Sequence, residues 1–92
     1  MTRLEDGAPV ADRHGLADEA RLVTRMGTEM HAKLWSNRHK LHWRHESVTD
    51  SYLLNRLVEE VQELALARPA DRWAEAADVA NIAAMLADRG QP

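Results

Sequence analysis

The apolar positions of this chain fall into three runs of helical period. Leu22, Met26, Met30 and Leu34 step by four, with Val23 beside them, and predict a helix from Leu16 to about Lys40. Leu53, Leu54, Leu57, Val58, Val61 and Leu64 predict a second, from about Ser51 to Ala67. Val79, Ile82, Met85 and Leu86 predict a third, from about Asp71 to Arg89, stopped by Gly90 and Pro92. Between the first two, "WRHESVTDS" is polar and offers Ser47, Thr49 and Asp50 as helix caps. Pro69 breaks the chain at "RPAD", because proline cannot continue a helix interior. Residues 1–15 mix charges with Gly7, Pro9 and Gly15, show no period and read as a flexible arm. Residues 16–92 read as one all-α domain of three helices with antiparallel neighbours.

Two acids disturb this pattern. With Glu75 set at zero and about 100° per residue, Val79 falls at about 40°, Ile82 at about 340° and Leu86 at about 20°. Asp78 falls at about 300°, next to Met85 at about 280°. Both acids therefore lie within the large-residue stripe of the third helix, while its opposite face is mostly alanine. On the second helix, Leu54, Leu57, Val58 and Val61 define the apolar side. Glu60 lies at its edge beside Leu53, with Glu59 and Glu63 further round. Glu60 and Glu63 are spaced i, i+3, as are Glu75 and Asp78, so each pair shares a helical face. Antiparallel packing can bring the pairs together. Clustered carboxylates repel and lose hydration unless cations join them, and all-oxygen ligands suit Mg²⁺ or Mn²⁺. Against this stands the plainer reading of an imperfectly amphipathic helix with a solvated acidic face.

Composition narrows the class. A chain of 92 residues builds one small domain with a modest core, and helical pieces of this size often complete their cores with a second copy. The absence of phenylalanine and the scarcity of β-branched residues favour helix over sheet. A net charge of −3 gives no general push toward nucleic acid or membrane. No cysteine means no disulfide frame and no thiolate metal site. No apolar run spans a bilayer and no signal-peptide pattern opens the chain, so a cytoplasmic protein is expected.

"EEVQE" (Glu59 to Glu63) followed by "EAAD" (Glu75 to Asp78) resembles the EExxE…ExxD pattern of the MazG-like all-α nucleoside triphosphate pyrophosphohydrolases. The text "EAADVANIAAMLAD" is similar to short phage and bacterial members. The resemblance is strongest over Leu53 to Asp88 and reaches back loosely to about Met30. It implies Mg²⁺-dependent hydrolysis between the α and β phosphates, giving the monophosphate and pyrophosphate, in nucleotide-pool control or house-cleaning. It implies that Glu60, Glu63, Glu75 and Asp78 hold the metal. Glu59, Glu60 and Glu63 would form the catalytic set, with Glu59 behind the ligands or orienting the attacking water. It also implies a site of four-helix-bundle type, completed by a homodimer or possible tetramer.

"KLWSNRHKLHW", Lys33 to Trp43, is the second stretch of interest. On a continued helix Lys33, Asn37 and Lys40 share one flank at i, i+4, i+7. A triphosphate needs such cations, and a base needs an amide or aromatic partner. The family carries a similar Asn, Lys and Trp cluster, so Lys33, Asn37, Lys40 and Trp43, with Asn81, are expected to bind substrate. Leu41 stands where the family pattern has glycine, so the placement of Trp43 does not follow from the motif. His39, His42 and His45 have a spacing that zinc could use, but read as surface histidines. Trp35 and Trp73 are expected in the core or a dimer interface, and Met26, Met30 and Met85 in the core. The competing function is a non-catalytic helical dimerisation or binding module. It would gain by exchanging buried acids for leucine.

Overall fold

The computed structural model describes residues 9–90, with side chains from residue 15 onward. Within that range the chain is all-helical: α1 (Pro9–Ser36), α2 (Asp50–Leu66), a 3-10 turn (Pro69–Asp71) and α3 (Arg72–Arg89). The helix count and order are those the apolar periods predict. Two boundaries of α1 differ. It begins at Pro9 rather than Leu16, because proline in a first turn gives up only an N–H that has no helical partner. The rest of the expected arm, residues 1–8, lies outside the described residues. It ends at Ser36 rather than near Lys40, and Asn37 to Lys40 form a turn in which the Lys40 N–H donates to the Asn37 carbonyl at 2.9 Å. Lys33, Asn37 and Lys40 therefore do not share one helical flank.

Of the three cap candidates, Thr49 caps α2: its hydroxyl accepts from the Tyr52 N–H at 3.0 Å. Pro69 opens the 3-10 turn, which reverses the chain into α3.

Helix α3 is the central element. Both α1 and α2 pack on it, and among the described residues they do not pack on each other. The core is small: Val48, Leu53 and Ile82, with Leu57, Met85 and Leu86 against them. Ala77 is fully buried, as its lack of bulk allows where helices close in. Met26 and Met30 on α1 are half-buried, consistent with core filling, as is Met85.

The orientation of α2 departs from expectation. Its buried residues are Leu53 and Glu60, whereas Leu54, Val58 and Val61 are about half exposed. The apolar arc of α2 is too wide for one neighbour. The side led by Leu53 and Leu57 meets α3, and the stripe Leu54, Val58, Val61 is left uncovered. Trp35 is likewise exposed, with the Arg38 guanidinium 4.0 Å over its ring, while Trp73 is half-buried under Arg25. No described helix is long and apolar enough to cross a membrane.

Candidate metal centre and adjoining cavity

The turn of α2 that places Leu53 and Leu57 against α3 also carries Glu60 inward. Its residue is only 5% exposed. Glu75 and Asp78, one turn apart on α3, are half-buried opposite it. One carboxylate oxygen from each of Glu60, Glu75 and Asp78 lies within 4.8 Å of the other two. Oxygens sharing one Mg²⁺ stand about 3–4 Å apart, so a small closure of side chains brings these to coordination distance.

Glu63 is exposed and outside this trio, yet close enough to act on it electrostatically. Glu59 is exposed and held by Arg56 Nη1, which donates to Glu59 Oε1 at 2.6 Å. Of the four expected ligands the structure thus gathers three, with the fourth at the margin.

The trio is electrostatically unsatisfied. Glu60 Oε1 and Glu75 Oε1 are buried with no hydrogen-bond partner. A buried acceptor left unpaired costs about 1–3 kcal/mol, more when charged. Burial, then the charges of Glu63 and Asp78, hold the Glu60 carboxyl above its ordinary range; Arg56 opposes them. Glu75 is raised by burial, then by Asp78 and Glu63, with Lys33 opposing. Lys33 Nζ is 3.2 Å from Asp78 Oδ2, and Arg56 Nη2 donates to Glu60 Oε2 at 2.7 Å. With Arg56 shared between Glu59 and Glu60, the two cations leave the acids with an excess of negative charge when all are ionised, which a divalent ion would reduce. Two orphaned oxygens, oxygen-only donors and this charge excess fit a hard divalent cation.

Arg56 is the site residue that the sequence reading missed. Its i, i+3 and i, i+4 spacing to Glu59 and Glu60 is the signal that could have found it.

Beside the acids lies a cavity of about 430 Å³, within the range of small-molecule sites. Glu60, Asp78 and Arg56 line it, as do Asn37, Lys40 and Trp43 from the connector between α1 and α2. Its apolar lining includes Leu34, Leu41, Leu53, Ile82 and Met85. Four expected substrate-binding residues thus border one space: Asn37, Lys40, Trp43 and Asn81. The fifth, Lys33, is engaged with Asp78. Asn81 is buried, and its Nδ2 donates to the Met30 carbonyl at 3.0 Å, so that amide is committed to joining α1 to α3.

The histidines form no metal-ligating group among the described residues. His42 Nδ1 accepts from the Arg44 N–H and His45 Nδ1 from the Ser47 N–H.

Comparison of the chain with protein-family models, curated proteins and solved structures returned no match. The likeness to MazG-like enzymes rests on the motif residues alone.

Proposed function

We propose that this protein is a nucleoside triphosphate pyrophosphohydrolase, cleaving between the α and β phosphates of a ribo- or deoxynucleotide to give the monophosphate and pyrophosphate. Its class is that of a divalent-cation-dependent hydrolase built in a helical bundle. Its particular assignment is to the MazG-like group, acting in the cytoplasm on nucleotide pools. The observation that carries the reading is the meeting of Glu60 with Glu75 and Asp78, where two buried oxygens lack a partner and where Glu60 and Asp78 also line a cavity shared with Lys40, Arg56 and Trp43.

Glu60, Glu75 and Asp78 would hold Mg²⁺ or Mn²⁺, with Glu63 closing from the margin. Such a cation supplies charge neutralisation and water activation when bound. The remaining work falls to the chain itself. Lys40 at the rim and Arg56 beside the acids attract and align the phosphates. Lys33 balances the Asp78 carboxylate. Glu59, exposed and held by Arg56, would stand behind the ligands or orient the attacking water. The apolar lining with Trp43 takes the base, and Asn37 offers it an amide.

The uncovered stripe on α2 favours a homodimer or larger assembly, and it is also what a non-catalytic dimerisation module would present. Release of pyrophosphate from a panel of ribo- and deoxynucleotides with Mg²⁺ and Mn²⁺ separates the two. Turnover of at least one nucleotide is expected. A chain that hydrolyses none, and whose melting ignores both metals, is the dimerisation module.

A further inference from the structure

Trp43 borders the cavity, yet it belongs to neither a helix nor the hydrophobic core. It lies in the connector of residues 37–49, in a turn closed by the His45 N–H donating to the His42 carbonyl at 2.9 Å, which places the backbone but not the ring. The ring is held by contacts outside the core. Trp43 Nε1 donates to Asp88 Oδ2 at 2.8 Å. Arg44 Nε donates to the same oxygen at 2.8 Å, and Arg44 Nη2 donates to the Asp88 carbonyl. Arg89 Nη1 donates to the Trp43 carbonyl at 2.6 Å, while its Nε donates to Asp50 Oδ1 at 2.8 Å. Three elements are thus tied at one point: the connector, the last turn of α3 and the first residue of α2. All four contacts on Asp88 and Trp43 involve an ionised group. The Arg44 and Trp43 hydrogen bonds hold the Asp88 carboxyl below its ordinary range, as a charge serving two donors should be. The His42 ring stacks on the indole at 4.0 Å and 22°, which fixes its tilt from one side.

We propose that Asp88 is a positioning residue for the substrate pocket: with Arg44 and Arg89 it latches the Trp43 indole as a wall of the cavity, and so sets the affinity for the planar group that enters there. Asp88 belongs neither to the acidic trio nor to the lining of the cavity. Nothing in the acidic motif calls for it. A merely structural surface pair would sit anywhere on the connector, whereas this one engages the single indole that borders the cavity. The inference rests on the nucleotide reading of the cavity, but the latch itself does not need a nucleotide to be observed.

The test uses Asp88→Ala, Asp88→Asn, Trp43→Phe and the double variant Asp88→Ala/Trp43→Phe, in the full chain. Asp88 is about half exposed, so its truncation opens no cavity in the core, and the melting temperature of each variant checks that it is folded. KM for the preferred nucleotide should rise about five- to tenfold in Asp88→Ala, the loss of roughly one hydrogen bond, with kcat held within about twofold. Asp88→Asn keeps an acceptor for the indole and should fall between. In Trp43→Phe, which has no N–H to hold, adding Asp88→Ala should change KM little further, a non-additivity that marks a shared interaction. Without nucleotide, the Trp43 indole N–H resonance should shift and broaden in Asp88→Ala. An active parent with unchanged KM in Asp88→Ala, or strictly additive variants, overturns the latch. An unmoved indole resonance overturns it whatever the activity. A parent that binds and hydrolyses no nucleotide overturns the function itself and with it the role given to the latch.

Discussion

At the scale of single residues, Glu75 is the most exposed to test. Among the trio it has neither the cation of Asp78 nor that of Glu60, and its buried oxygen is orphaned. Glu75→Gln keeps the shape and removes a charge from a repelling set. The metal-free variant is expected to melt above the metal-free parent, gain less from Mg²⁺, and lose pyrophosphate release by orders of magnitude. Differential scanning fluorimetry beside the pyrophosphate assay reads all three. The raised carboxyls give a pH signature with a definite sign. For Glu60 and Glu75 the folded state binds the proton more tightly than the unfolded chain, whose value is near the ordinary 4.5. Stability from this source is therefore full below 4.5 and is lost as pH rises through the raised folded values. Asp88 acts in the opposite sense, being held low, and only below its ordinary 3.8. Without metal, the melting temperature should climb on acidification from neutrality toward 4.5. With saturating Mg²⁺ that gain should shrink, since protons and metal compete for the same oxygens. A metal-free melting curve flat over this range would remove repulsion from the account.

At the scale of elements, the three helices and most of their ends were legible. Leu53, Ile82 and Leu86 announce the packed faces by period, and "VTDS" announces a cap. The meeting of Glu60 with Glu75 and Asp78 was legible in part: each i, i+3 pair shares a helical face and antiparallel packing can bring the pairs together, but Glu63 stays outside the trio. What was not legible came from contacts of long sequence separation. Asp88 with Trp43 and Arg44, or Asn81 with Met30, cannot be read from any local period. The outward stripe of α2 was hidden for another reason. A period reports which residues share a face, not which of two apolar faces the neighbour takes. That stripe makes its own prediction. Val58→Lys places a charge amid Leu54 and Val61, harmless in an isolated chain where Val58 is already 56% exposed. If a second copy covers the stripe, sedimentation at micromolar concentration should show a dimeric parent and a variant shifted toward monomer. Thr49→Ala should cost about 1 kcal/mol through the lost α2 cap, measured by denaturant unfolding.

At the scale of the whole molecule, the chain is longer than its length requires. Its radius of gyration is 16.0 Å, against about 12 Å for a compact domain of this size. The excess lies in α1, whose Leu16, Leu22 and Val23 are all more than half exposed. No large side chain is fully buried among the described residues. A core this open is expected to gain from association, and the melting temperature should rise with protein concentration.

The central place of α3 has a consequence for how the molecule breathes. Since, among the described residues, α1 and α2 share only α3 as a neighbour, either can lift away while the other stays, but α3 is freed only when both have gone. Amide protons should therefore exchange in a ranked order, slowest in the middle of α3 and fastest in the first half of α1. The acids add a bias to that ranking, because Glu60 lies on one side of the α2–α3 seam and Glu75 and Asp78 on the other. An ion held between them would act as a rivet across that seam alone. Added Mg²⁺ should slow exchange in α2 and α3 and leave the first half of α1 opening as before.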